Sequence, residues 1–133
     1  MLRTQKMGPT VDQLLPVLGA HDIMTTIDAV RHVEVAPALE QYIVALSAAT
    51  RTMSELRLGV SPRGSLALLR AARAFAASIG RTFVIPEDVK QMAPVVLAHR
   101  VILQPDAELQ GRTGAELIAR ALQSVPVPRG AES

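Results

Sequence analysis

Apolar residues recur along most of this chain at intervals of three and four, the spacing that gathers side chains onto one face of an α-helix. Ile23, Ile27, Val30 and Val33 predict a first helix from Ala20 to Val33. Leu39, Tyr42, Ile43, Leu46 and Met53 predict a second, from Pro37 to about Met53. Leu66, Leu69, Ala72, Ala76 and Ile79 give the core face of a third, from Pro62 to Ile79. Six alanines between positions 67 and 77 would let neighbouring helices come close to it. Val89, Met92, Ala93, Val96 and Leu97 point inward from a fourth, Pro86 to about Ala98. Thr113-Gly-Ala-Glu116 has the form of a capping box and opens a last helix to about Ser124.

Proline and glycine punctuate these elements. Gly8-Pro9 and Pro16 break residues 1–19 into an entry segment with at most a helical turn at Val11–Leu15. Residues 54–60 read as a loop ending at Gly59, and Gly80 stands where a helix C-terminus takes a left-handed residue. Pro126 and Pro128 end the last helix, leaving 130–133 as a tail. Arg81–Ile85 and Arg100–Leu103 are β-leaning and are expected to pair as a minimal ribbon around the fourth helix. The predicted fold is therefore all-α: a compact bundle of about five helices over 20–129, with one minimal two-stranded β element.

Composition narrows this picture. Tyr42, Phe75 and Phe83 are the only aromatic residues, so the core must be built of Leu, Ile, Val, Ala and Met. Cysteine is absent, which excludes disulfides and thiolate metal sites and suits a reducing compartment. No apolar run reaches the length of a membrane span, and the N-terminus lacks the apolar region of a secretion signal, so a cytoplasmic location is expected. The net charge of +2 is small and the basic residues are scattered, which argues against a nucleic-acid surface.

Candidate chemistry concentrates at Gly59-Val-Ser-Pro-Arg-Gly-Ser65. Ser61 can cap the third helix and Pro62 suits its first position. Arg63 then stands in a first turn, where the helix dipole disfavours a cation by about 0.3–1 kcal/mol. The other helix starts carry acids there or nearby: Asp22, Glu40, Glu87 with Asp88, and Glu116. An arginine at a helix N-terminus makes an anion site, most simply for phosphate; the alternative is a solvated or salt-bridged surface residue. No catalytic set accompanies it. The G-x-x-x-x-G spacing leads to Ser65 where a phosphate-binding loop needs lysine, and Ser61 lies in no G-x-S-x-G elbow. His21, His32 and His99 lack metal-ligand spacing and read as surface or packing residues. Glu87 and Asp88 read as dipole and cap residues, and Arg70 and Arg73 as a solvated continuation of the Arg63 side, with a phosphate-facing or interface role as the alternative.

These residues also resemble a family. Gly59-Val-Ser-Pro-Arg-Gly-Ser-Leu-Ala-Leu-Leu-Arg-Ala-Ala-Arg-Ala74 is similar to the start of the central lid helix of MoxR-type AAA+ ATPases. Gly80-Arg-Thr-Phe-Val-Ile-Pro-Glu-Asp-Val-Lys90 and Val96-Leu-Ala-His-Arg-Val-Ile-Leu103 resemble the segments C-terminal to that helix in the family. Val35–Val44, Ala49-Thr-Arg51 and Val125–Arg129 fit as well. The resemblance implies a C-terminal α-helical lid without its nucleotide-binding core, inactive alone, from a parent that hydrolyses ATP with Mg2+. It implies that Arg63 is the sensor-2 arginine reaching the γ-phosphate, with Ser61 and Pro62 holding that helix start, and that no metal is bound here. It further implies a ring of subunits, commonly six, and a parent that couples hydrolysis to remodelling of partner proteins, von Willebrand A-type proteins among them, or to cofactor insertion. Gly64, Ile85 and Ala36 depart from the family pattern and are expected to weaken their helix starts by about 1 kcal/mol each. Two other readings remain: a stand-alone helical adaptor, and a histone-like nucleic-acid-binding module suggested by Pro86-Glu-Asp-Val.

Overall fold

The computed structural model describes residues 14–128. Its helices are α1 (Ala20–Arg31), α2 (Pro37–Arg51), α3 (Pro62–Ser78), α4 (Pro86–Leu97), α5 (Pro105–Leu109) and α6 (Gly114–Ser124). Two short strands, β1 (Leu56–Leu58) and β2 (Ile102–Leu103), and a 3-10 turn at Ala98–Arg100 complete the described residues. The expected fold class holds, as do the expected helix starts at Ala20, Pro37, Pro62 and Pro86. Residues 1–13, with part of the entry segment, and 129–133, with the tail, lie outside the described residues.

Proline opens α2, α3, α4 and α5, where its missing N–H costs nothing. Carboxylates close two other gaps. Asp22 accepts the Gly19 N–H at 2.8 Å, and Asp88 accepts the Ile85 N–H at 2.9 Å. Asp88 therefore makes up from within the helix for the apolar residue at the α4 cap. At α6 only half of the expected capping box forms: Thr113 accepts from the Glu116 N–H at 3.2 Å, while the Glu116 carboxylate pairs with Arg112.

The core lies between α2, α3, α4 and α6, with Leu39, Leu46, Leu68, Leu97, Leu117 and Ile118 fully buried. Each such side chain contributes about 1.5–3 kcal/mol of transfer free energy. α3 buries Gly64, Leu68, Ala72 and Ala76, a strict four-residue ridge of mostly small residues that lets α4 approach closely. This corrects the expected α3 face: Leu66 and Ile79 are exposed and Leu68 is inside. The register slipped because leucines at 66, 68 and 69 and six alanines offer more than one apolar stripe beside the arginine side, so periodicity alone does not select the face.

α1 departs further. No residue of α1 is buried, and Ile23 and Ile27 remain 46% and 43% exposed. Only its C-terminal end packs, with Ala29, His32 and Val33 meeting Ala77, Gly80 and Arg81 at the end of α3 around a cavity of about 290 Å³. Leu14, Leu15, Val17 and Leu18 ahead of it are exposed as well.

The β element forms with a different partner from the one expected. β2 pairs antiparallel with β1, Leu56 opposite Leu103 and Leu58 opposite Ile102, inside what reads as a loop in the sequence. The Thr-Phe-Val-Ile segment instead bridges to Glu34: Glu34 N–H donates to Thr82 O at 2.8 Å and Val84 N–H to Glu34 O at 2.9 Å. Beside it Arg81 forks onto Asp88, which is 2% exposed, and donates to Phe83 O at 3.0 Å. Those bonds to Asp88 hold the Arg81 guanidinium charged above its ordinary range. Glu55, leading into β1, takes a 2.7 Å ion pair from Arg120 of α6. The hydrogen bonds from Arg120 above all hold the Glu55 carboxyl down at about 2.

Candidate functional site

The start of α3 is built from the end of α2. Thr50 is completely buried; its hydroxyl donates to Ser47 O at 2.7 Å and accepts the Val60 N–H at 2.9 Å. Arg51 Nε donates to Val60 O at 3.0 Å, so both backbone groups of Val60 are held. Ser47 Oγ donates to Ile43 O at 3.0 Å and shares a 2.7 Å hydrogen bond with Ser65 Oγ, tying α2 to the first turn of α3. Gly59 allows this approach: a Cβ there would lie 2.8 Å from the Arg51 backbone nitrogen. Buried hydroxyls fully satisfied in this way fix one arrangement of the backbone.

On this base stand the residues singled out from the sequence. Ser61 is the cap, its side chain accepting the Gly64 N–H at 3.3 Å, and Pro62 is the first helical residue. Arg63 comes next, exposed, and among the described residues it makes no ion pair and no side-chain hydrogen bond. The α3 first turn carries no acid, whereas α1, α2, α4, α5 and α6 all do. The three residues are thus brought together at a rigid helix start that presents one unneutralised arginine. Gly64, expected to weaken this helix, is buried against Val60, and an added Cβ would lie 2.8 Å from Val60 Cγ1. Close packing is the reason for a glycine there.

Arg70 is exposed on the same helix, while Arg73 is half-buried with its Nε enclosed and unpartnered among the described residues. His21, His32 and His99 are all exposed, and no group of side chains among the described residues could hold a metal ion. No described helix is long and apolar enough to cross a membrane. The part of the site that sequence reasoning missed is its foundation, Ser47, Thr50 and Arg51. A Thr and a Ser inside a helix read as ordinary polar positions until their partners across the loop are known.

A helical domain that carries no nucleotide-binding loop, and whose central helix presents an arginine at a braced start, has the form of an AAA+ lid. Residues 48–121 match the AAA lid domain family, more than half of the chain, and the chain belongs to that family. The match runs from the Thr50–Arg51 clamp through α3 and α4 into α6. Its relatives make it a lid of the MoxR kind. It is 35% identical over 133 residues to Chaperone MoxR1 of Mycobacterium tuberculosis, covering 93% of this chain and 35% of that protein. It is 38% identical over 134 residues to the protein YeaC of Bacillus subtilis, covering 98% and 42%. A crystal structure assigned as an ATPase from Cytophaga hutchinsonii superimposes with a TM-score of 0.84 at 29% identity, over 97% of this chain and 42% of that one. The chain thus spans well under half the length of these relatives.

Proposed function

We propose that this lid works as the sensor-2 element of a MoxR-type AAA+ ATPase, placing Arg63 against the γ-phosphate of ATP bound by a nucleotide-binding core. The observation that carries the reading is the isolated positive charge of Arg63 at a helix start whose position is fixed by Thr50, Arg51 and Ser65. A guanidinium suits this role because it stays charged, binds phosphate oxygens in a fork, and offsets the charge that develops as the phosphoryl group leaves. Helix-start N–H groups add to the attraction for an anion. Ser61 and Pro62 serve by keeping that turn formed.

ATP and its Mg2+ belong to the core in this reading. The residues here suit the phosphate end of the nucleotide, and they contribute one cation and no metal ligand. Because Arg63 is fixed to the whole domain through α3, contact with the γ-phosphate would set the lid's angle to the core, and loss of the phosphate would release it. The parent would use that movement, within a cytoplasmic ring of subunits, to remodel partner proteins, von Willebrand A-type proteins among them, or to drive cofactor insertion. The lid's exposed apolar surface at Leu14–Leu18 and α1 is available for contact with the core or a neighbouring subunit.

The test is Arg63→Ala in the complete ATPase. Hydrolysis should fall by about 100-fold or more, as when one preorganised charge-stabilising donor is removed, while the melting temperature of the 133-residue chain stays within about 1 °C because the side chain is exposed and unpaired. Normal turnover in that variant would end the sensor assignment.

A further inference from the structure

α1 turns its apolar side away from the domain. Ala20, Ile23, Met24 and Ile27 share one side of the helix by their three- and four-residue spacing, and Thr25, Ala29 and the capping His32 share the other. The end of α3 meets that second side, at Ala29 and His32. Met24 is left 63% exposed, between Ile23 and Ile27, which are exposed as well. The helix forms without outside help. Asp22 caps it, the Thr25 and Thr26 hydroxyls donate to His21 O at 3.0 Å and Asp22 O at 2.8 Å, and Arg31 suits the negative end of the dipole. An amphipathic helix that is already formed, with nothing against its apolar side among the described residues, fits a groove in a partner.

This surface differs in kind from the remaining exposed apolar residues. Among the described residues fifteen large apolar side chains stand exposed, and seven of them fall within residues 14–27. The other eight are spread over α2, β1, α3, the α3–α4 connection, α4, β2 and α5, where single residues of this sort are ordinary. Leu14, Leu15, Val17, Leu18, Ile23, Met24 and Ile27 together expose an area on the order of 700 Å², above the roughly 300–600 Å² of the largest apolar patch on a typical monomer. It approaches the roughly 800 Å² that each partner gives to a standard interface. One large partner is therefore called for.

We propose that α1 and Leu14–Leu18 seat this lid on the nucleotide-binding core of the same polypeptide, in an apolar groove of that core. More than half of each relative has no counterpart in this chain, so a core of that size is the large partner at hand. The proposal rests on the lid reading and is independent of Arg63. Only the C-terminal end of α1 packs on the rest of the lid, at the cavity beside Ala77 and Gly80. The helix would thus stay with the core while α2 to α6 turn about the α1 C-terminus, so that the seat and the moving body are different parts of one domain.

Met24 reports on the seat directly, because methionine oxidation follows exposure. Dilute hydrogen peroxide is applied to the 133-residue chain and to the complete ATPase, and sulfoxide at Met24 is followed by peptide mass spectrometry, with half-buried Met53 and Met92 as internal references. Met24 should oxidise at least about fivefold more slowly in the complete ATPase. Ile23→Gln with Ile27→Gln, at two exposed positions where glutamine keeps the helix propensity, should return Met24 of the complete ATPase to the rate of the chain. The circular dichroism of the chain should stay unchanged in that variant. Equal rates in the chain and the wild-type ATPase would overturn the proposal. So would protection that appears only when subunits assemble into rings, which assigns the face to a neighbour. Protection in the chain alone on roughly hundredfold concentration would assign the face to a second copy and overturn it as well. Protection of Met24 alongside normal turnover of Arg63→Ala would leave the seat standing and remove the sensor assignment alone.

Discussion

Replacing Thr50 with valine removes one oxygen and almost no volume, and so isolates the clamp beneath the α3 start. The wild-type hydroxyl accepts the Val60 N–H at 2.9 Å and donates to Ser47 O at 2.7 Å, in a position with no solvent exposure. In the variant the Val60 N–H is left buried without an acceptor, at a cost of about 1–3 kcal/mol. The new methyl group recovers at most about 0.8 kcal/mol by burial. A net loss of about 0.2–2 kcal/mol remains. For a chain of 133 residues the unfolding entropy near the midpoint is about 0.28 kcal/mol/K, so the melting temperature should fall by about 1–8 °C. Thr50→Ser, which keeps the oxygen, should lose markedly less. Calorimetry or circular dichroism on the 133-residue chain reads this directly. In the complete ATPase, Thr50→Val should also slow hydrolysis, because Val60 lies three residues before Arg63. A Thr50→Val chain that melts no lower than wild type would refute the argument that this hydroxyl holds the helix start.

Tyr42 is 3% exposed and its hydroxyl has no partner among the described residues, so Tyr42→Phe should leave the melting temperature unchanged or raise it by a few degrees; a drop of more than about 4 °C would reveal a hidden partner. Burial above all, and then Glu87, pushes the Tyr42 phenol up, so its absorbance titration should be displaced to higher pH than that of free tyrosine, and an ordinary titration would contradict that burial. Glu55 is held at about 2 by Arg120, below the 4.5 of the free group, so its contribution to stability is present above about pH 4.5 and is lost as pH falls toward 2. Melting temperature followed from pH 5 to pH 2 should therefore decline less steeply in Arg120→Gln, and identical slopes would count against the pair. Gly114→Ala should destabilise despite the helix propensity gained, about 1 kcal/mol, because the added Cβ meets the fixed Ala98 carbonyl at 2.3 Å; Gly64→Ala should cost less, and a reversal of that order in chemical denaturation would contradict the packing described.

Helix starts were the most legible part of this fold, because proline and capping residues act within one turn and need no knowledge of the rest of the chain. The faces were less so. α2 and α4 show apolar stripes against polar neighbours, and Leu39, Tyr42, Ile43, Leu46, Val89, Ala93 and Leu97 are buried as their spacing implies. α3 keeps its arginines on one side and offers more than one apolar stripe on the rest, and its buried ridge of Gly64, Leu68, Ala72 and Ala76 is selected by how closely α4 can approach. α5 is only five residues long, too short for periodicity to register. The strand pairing failed for a different reason: Leu56–Leu58 carries too little pattern to announce a strand, and its partner lies more than 40 residues away. At the candidate site the charge on Arg63 was visible in the sequence, since it breaks a local electrostatic rule. The Thr50–Val60 and Ser47–Ser65 bonds join residues 10 and 18 apart, and nothing local signals them.

The braced start of α3 also has a mechanical meaning. α3 has 17 residues, about 25 Å of straight rod at 1.5 Å per residue, with Arg63 at one end and the α1 junction at the other. A rotation of about 10° pivoting near Arg63 would carry the Ser78 end through about 4 Å. On the sensor reading proposed above, the departure of a single phosphate would in this way be geared up to a stroke large enough to open or close a contact on the far side of the domain. The clamp to α2 would keep the pivot from slipping while the rod swings.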